Sequence, residues 1–356
     1  MHWFSLPALR KPQNGRRLKR YTMRRLVWLG FIFAVLWSGW WFFAASGLQS
    51  GLTRWFEDRR SDGWQAEIAD TALSGFPLKL DVTLARPMLA DPETGVAFET
   101  SSVMISAPTY WPGYVSLFFP QDEMLFASPS GRSTLTADTA VANLRLHPGA
   151  TLEVEELALT SGPWRLDTPD GSLMSAQGLS VGMRQDVENA NRYAVTLDAP
   201  AFQPGSVPRA ALRIPTDWPI AFDSLTMDMT ITFDRPFDRS TLETQRPQPR
   251  RIDLSLAQAA WGTLLLRGAA DLDVSATGAM TGEVSLQAKN WQDMLVLAET
   301  AGVLPPALKP QAENILQALA RGSGNPNSID VTLSLRDGTV FLGFIPLGQA
   351  PLLILR

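Results

Sequence analysis

The chain has 356 residues, 45% hydrophobic and 19% charged, with a net charge of −4, no cysteine and two histidines. Lacking cysteine, it has no disulfides, thiol catalysis, zinc fingers, iron–sulfur ligation or lipidated N-terminal cysteine. His2 lies in the N-terminal tail, so His147 alone remains for chemistry and mechanisms that need two imidazoles are excluded. Gly and Pro, 26 of each, are near their average share, which excludes collagen-like or low-complexity character.

The net charge averages two unlike parts. Residues 1–25 carry Arg10, Lys11, Arg16, Arg17, Lys19, Arg20, Arg24 and Arg25 and no acid, a local +8. The rest of the chain is −12, with 23 basic residues against 35 acidic ones. Between them residues 26–45, LVWLGFIFAVLWSGWWFFAA, hold no charge, and the uncharged run continues to Thr53. Twenty helical residues at about 1.5 Å each reach across a hydrocarbon core of roughly 30 Å. The pattern predicts a basic cytoplasmic tail over 1–25, a transmembrane anchor over 26–46 and a juxtamembrane helix over 47–63 that stops at Asp62-Gly63. Trp40 and Trp41 suit an interfacial aromatic belt. A cleavable signal peptide ending near Ala44-Ala45-Ser46 is the rival reading. A retained anchor is favoured, because the apolar stretch exceeds the usual 7–15 residues and is studded with Trp and Phe. The basic cluster is assigned to membrane topology, and no nucleic-acid partner is expected.

From Trp64 onward the hydrophobic period changes from 3.6 to 2. Ile252, Leu254 and Leu256 alternate with Asp253 and Ser255, and Leu272 and Val274 with Asp271, Asp273 and Ser275. Val284, Leu286 and Ala288, then Ile329, Val331, Leu333 and Leu335, repeat the pattern. Such alternation predicts antiparallel strands with one apolar and one wet face. Less regular stretches at 76–84, 103–107, 134–146, 152–160, 193–197 and 225–233 bring the expectation to about a dozen strands. Asp337-Gly338 predicts a tight hairpin. Two amphipathic helices interrupt the strands. The first, over 291–301, is expected to be capped by Asn290, ended by Gly302, and to face inward with Trp291, Met294, Leu295 and Ala298. The second, over about 306–320, would turn Ala312, Ile315, Leu316 and Leu319 inward. The fold class is therefore mainly β with two or three helices: an N-terminal transmembrane helix, then a large antiparallel, curved or sandwich-like β domain over 64–356. The polar segment 234–251, with Pro236, Pro247 and Pro249, is either a long loop or a sub-boundary within that domain.

Catalytic vocabulary is sparse. No phosphate-binding loop, dinucleotide fingerprint or nucleophile elbow occurs. His147, before Pro148-Gly149, reads as a turn residue. Glu153, Glu155 and Glu156 read as a hydrated strand edge, with Glu153 and Glu155 sharing the solvent face. Asp167, Asp170 and Gly171 offer too few oxygen ligands for calcium and read as a turn. Trp55, Trp64, Trp111, Trp164, Trp218, Trp261 and Trp291 are scattered, as core and sheet-end residues are. No catalytic residue, metal ligand or cofactor is assigned.

Two blocks carry a family resemblance: Gly75-Phe76-Pro77 opening a strand at Leu78-Lys79-Leu80-Asp81, and a longer C-terminal series. The series runs from Ala260-Trp261-Gly262 through Gly282-Glu283-Val284 and Asn290-Trp291 to Ala301-Gly302-Val303-Leu304-Pro305. It ends with Arg336-Asp337-Gly338, Leu342-Gly343 and Ile345-Pro346-Leu347-Gly348. Over roughly residues 50–352 the chain resembles an alphaproteobacterial envelope family known only as a domain of unknown function, the DUF2125 type. The resemblance implies a membrane-anchored envelope protein with no assigned reaction; with the charge pattern, the expected location is the inner membrane, the bulk of the chain in the periplasm. Read physically, Gly75, Phe76, Pro77, Trp261, Gly262, Asn290, Trp291, Gly302, Asp337, Gly338, Gly343 and Gly348 are structural positions: turns, a helix start and end, and strand punctuation. The leading functional expectation is a non-enzymatic anchored protein that binds lipid or another apolar envelope ligand on a β-sheet surface. The alternative is an envelope scaffold or assembly factor that docks a protein partner, with an enzyme third.

Overall fold

The computed structural model describes residues 15–111, 113–149, 151–243, 246–302, 304–322 and 324–355. Arg10 and Lys11 of the basic tail, Pro112 and Val303 lie outside the described residues. The apolar run and the juxtamembrane segment are one helix, α1 (Gly15–Ser61), which is long and apolar enough to span a membrane. It ends where expected, with Asp62 N–H donating to Asp58 O and Gly63 N–H to Arg60 O.

The body is antiparallel β throughout, in two open sheets. Eight passes of chain are each broken by a corner into two segments. They are β1 (Gln65–Glu67) with β2 (Asp70–Ser74), β3 (Lys79–Ala85) with β4 (Met88–Asp91), β5 (Val96–Glu99) with β6 (Ser102–Pro108), and β7 (Tyr114–Phe118) with β8 (Met124–Ser128). Next come β9 (Gly131–Ala137) with β10 (Val141–Leu146), β11 (Val154–Ser161) with β12 (Trp164–Thr168), β13 (Gly171–Ala176) with β14 (Leu179–Gln185), and β15 (Arg192–Asp198) with β16 (Gln203–Pro204). After α2 (Ser206–Ala211) the passes run unbroken: β17 (Ser224–Phe233), α3 (Ser240–Glu243), β18 (Pro249–Trp261), β19 (Leu264–Val274) and β20 (Met280–Lys289). Helix α4 (Trp291–Thr300), a 3-10 turn (Pro306–Leu308) and α5 (Lys309–Gly322) precede β21 (Ser328–Arg336), β22 (Thr339–Leu342) and β23 (Ile345–Gln349).

The smaller sheet has the order β1-β4-β5-β8-β9-β12-β13-β16, and the larger β2-β3-β6-β7-β10-β11-β14-β15-β17 through β23. Each hairpin of one sheet therefore continues, around a corner, into a hairpin of the other. Pro87, Pro163 and Pro200 sit at corners, where a residue without an N–H interrupts the ladder at no cost. The corners stay tied to one another: Arg86 N–H donates to Ser101 O, Asp138 N–H to Pro163 O and Gln177 N–H to Pro200 O. Such bends explain why the dozen strands expected from hydrophobic period appear as many shorter segments.

The second half of α1 lies against the start of both sheets. Phe56 shares one buried cluster with Val82 and Leu84 of β3 and Ala66 of β1, and Ile105 of β6 and Leu89 of β4 pack against it. The apolar faces of the two sheets thus look toward the same helix. Lower on α1, Trp41 and Ala45 cover Leu80. Three indoles clamp this joint: Trp37 Nε1 donates to Pro77 O (2.9 Å), Trp41 Nε1 to Lys79 O (2.7 Å) and Trp40 Nε1 to Thr109 O (3.2 Å).

Of segment 234–251, the part before Pro249 connects neighbouring strands and the rest begins β18, since Phe233 of β17 pairs with Pro249. The connecting part folds back on the sheet end, where Phe237 packs on Tyr193 and Phe233. Tyr193, wholly buried, accepts from Phe237 N–H (3.0 Å) and from Gln185 Nε2 (3.2 Å), and burial pushes its phenol above the ordinary tyrosine value. Trp41→Phe keeps the ring but removes the donor to Lys79 O, and is expected to cost about 1 kcal/mol. Trp41→Ala also leaves a void and should cost about 3–5 kcal/mol. Thermal unfolding of the full chain in detergent reads the difference.

Candidate functional site

Because side chains alternate across a strand, the pairing register decides which residues share a face. One line of directly paired residues crosses twelve strands of the large sheet. It runs Val82, Ile105, Leu117, Ala142, Leu159, Val181, Leu197, Met227, Ala257, Gly268, Leu286 and Val331. Every member is apolar or glycine. At about 4.8 Å per strand the line is roughly 53 Å long. A second line on the same face runs Val115, Leu144, Leu157, Met183, Val195, Met229, Leu254, Ala270, Val284 and Leu333. The interleaved line on the opposite face is polar or small: Asp81, Ser106, Ser116, Asn143, Ala158, Gly182, Thr196 and Asp228. It is laced by side-chain bonds such as Ser116 Oγ to Asn143 Oδ1 (2.7 Å), and farther along by Arg251 to Asp271 (2.8 Å).

The apolar face is covered at its two ends and little between them. Under α1, Val82 is fully buried. At the far end Trp291 and Leu295 of α4 and Ala320 of α5 pack with Ile329, and Val331 lies against the same cluster. From β11 to β20 the apolar residues of both lines are half-buried. The cover also reaches the strand ends beside the loop after β17, where Tyr193 and Phe233, on the same face as Val195 and Met229, are buried against Phe237. The small sheet supplies a second apolar wall. There Met124, Ala137 and Ala140 pack with Phe98, Phe126, Leu135 and Trp164.

Bulges keep the face apolar. Between β17, β18 and β19 the register shifts, so Leu254 and Ala257, three apart, fall on the two apolar lines. Leu256, which alternation places inward with Ile252 and Leu254, lies in that bulge and is exposed.

None of the motif residues lies on these lines; they build the frame around them. Gly75 has φ +93, and a Cβ there would meet Lys79 O at 2.7 Å, so the turn closes only with glycine. It presents Phe76 edge-on to Trp41 (5.4 Å) and stacked with Phe42 (6.2 Å), while Pro77 O takes the Trp37 indole. Trp261 stacks on Phe222 (4.7 Å) and donates to Pro219 O, and Gly262 N–H donates to Asp223 Oδ2. Together they fasten the excursion between β16 and β17 to the sheet. Asp337 and Gly338 both have positive φ, as a two-residue hairpin needs, and Gly302 (φ +74) ends α4. Gly343 (φ +63) lies between β22 and β23, and Gly348 in β23.

Several expectations are corrected. Asn290 makes no side-chain cap; it is left-handed (φ 56) and its amide donates to Thr263 O, tying α4 to the β18–β19 turn. Met294 and Ile315 point outward, because Trp291, Leu295, Leu316 and Leu319 already fill the small contact between α4, α5 and β21. Two of the three glutamates are paired rather than simply hydrated: Glu155 with Arg145 (2.9 Å) and Glu156 with Arg184 (3.1 Å). His147 is held by Gln185 Oε1 at 2.7 Å. As expected, Asp170 lies in a turn, that of the β12–β13 hairpin, with Asp167 near the end of β12. A polar recess of about 670 Å³ opens at the rim of the small sheet, lined by Gln121, Asp138, Arg165, Asp167 and Gln203.

A protein-family model described as "Uncharacterized protein conserved in bacteria (DUF2125)" matches residues 41–351. No curated protein matches the chain. The matched region begins at Trp41, the residue that joins helix to sheet, and takes in the whole apolar face. Openness of that face has a measurable consequence. Leu197→Ala and Met227→Ala should each cost less than the roughly 2–5 kcal/mol of a filled core. Chemical denaturation of the single variants checks this.

Proposed function

The chain belongs to the uncharacterised bacterial DUF2125 family, whose description assigns no reaction, and from the geometry we propose that it is a non-enzymatic, single-pass membrane protein that holds a lipid acyl chain on the apolar face of its large sheet. The tail 1–25 stays in the cytoplasm and the β body in the periplasm, a reading supported by the positive charge that precedes the span. The observation that carries this reading is the pair of uninterrupted apolar lines, half-buried from β11 to β20 and backed by a polar face. A soluble protein seldom leaves so long an apolar strip without a covering layer, and a flexible, elongated apolar ligand fits a strip of that length. Recognition would come from apolar burial, with no catalytic group required. Benzoylphenylalanine placed at Val195 and at Thr196, neighbours on opposite faces of β15, tests it in cells. Ultraviolet light should yield lipid adducts at 195 and not at 196; equal or absent adducts refute lipid binding.

A second reading, docking of a protein partner by strand addition, is supported by the C-terminal edge. All of β23 is exposed, Phe344 is 90% exposed, and Ile345 and Leu347 are open beside it. An unpaired edge with apolar residues is a template for another strand. Benzoylphenylalanine at Leu347 should then form a discrete protein adduct, and its absence would dismiss this reading.

A further inference from the structure

The length of α1 that is free of the body sets how deep the body sits. Met23 to Leu36 are all exposed, and contact with the sheet begins at Trp37. From Leu26, just after Arg24-Arg25, to Leu36 is eleven residues, or about 16 Å of helix. A hydrocarbon core of roughly 30 Å needs about twenty. The missing length must come from residues 37–45, whose one face is docked on the body and whose other face is open: Phe43 is 74% exposed.

At that height the docked face touches two turns. The first, residues 75–78, meets Trp37, Trp41 and Phe42, and the second, beginning at Thr109, meets Trp40. Both present apolar or aromatic side chains outward: Phe76 (53%), Leu78 (63%), Tyr110 (71%) and Trp111 (39%). Tyr and Trp, with an apolar body and a polar tip, are the side chains that favour a membrane–water boundary. Leu152 and Val187, in the turns after β10 and β14 at this same end of the large sheet, are also exposed. These turns border the strands where the apolar face is uncovered.

We propose that the turns at 75–78 and 109–111 are embedded in the outer interface of the membrane that α1 crosses, so that this end of the large sheet rests in lipid. The partner of this surface is the upper acyl and headgroup region of the bilayer. The inference rests on the membrane-anchor reading and adds to it a second, monotopic contact that brings the apolar face to the bilayer surface.

The chain has no cysteine, so a single introduced thiol labels one position. Full-length Leu78→Cys, Tyr110→Cys, Phe33→Cys and Ser285→Cys variants carry an environment-sensitive NBD dye in phosphatidylethanolamine–phosphatidylglycerol vesicles, with nitroxide lipids as quenchers. Expected is blue-shifted emission at 78 and 110, quenched most by shallow nitroxides. Position 33 should be quenched most by deep nitroxides, and Ser285, on the polar face, should report water. Water-like emission at 78 or 110 with position 33 in lipid overturns the interface contact and leaves the anchor standing. Blue-shifted emission at 78 and 110 that no nitroxide lipid quenches means that protein covers the turns, and also overturns it. Water-like emission at 33 removes the anchor itself, and the interface contact with it.

Discussion

Antiparallel register is the constraint on which the rest of this molecule depends. A slip of one residue between any two strands would turn an apolar face to the wet side from there onward. Twelve strands share one line of apolar residues because each hairpin passes its alternation to the next. Where the alternation in the sequence breaks, as at Ser255-Leu256, a bulge absorbs the extra residues and Ala257 returns to the apolar side. The outer face reinforces the same choice, since its charged and hydroxyl side chains find partners across strands only in this register.

Bending eight of the passes has a second effect. Each corner sends a hairpin of the large sheet into the small one, so two apolar walls are built from a single meander without a crossover connection. Helices then deal with the ends. Helix α1 fills the space where the walls begin, and α4 and α5 cover Ile329 and Val331 near the other end. What lies between has one polar face and one half-buried apolar face, and on that strip the proposed acyl-chain binding rests.

The joint between α1 and the sheet is made chiefly with backbone carbonyls. Trp37, Trp40 and Trp41 reach Pro77, Thr109 and Lys79 through indole N–H donors, while the rings pack on Phe76 and over Leu80. Set among packed aromatic rings, such donors have little competition from water, so the bonds hold the body to α1 in a set orientation. That explains why Gly75-Phe76-Pro77 reads as a motif: glycine permits the turn, the aromatic is the surface that the helix meets, and the proline carbonyl accepts the first indole.

Local patterns were legible in the sequence. The uncharged run showed a long apolar helix, strict alternation showed strands with one wet face, Asp337-Gly338 showed a hairpin, and Gly302 showed a helix end, because each depends only on residues a few positions apart. Side-chain partners were not legible. Asn290 looked like a helix cap, yet its amide bonds Thr263, 27 residues away. Met294 and Ile315 fitted helical stripes but face outward, since the width of a buried stripe depends on what covers it. Length, charge division and missing cysteine decided on their own that this is an apolar helix joined to a β body with little catalytic vocabulary. Tertiary structure alone decided that the strands bend, that their apolar halves fall into two continuous lines, and that three tryptophans hold α1 against the sheet. Those outcomes rest on pairings between residues about 11 to 69 positions apart, and the spacing of neighbours along the chain carries no record of them.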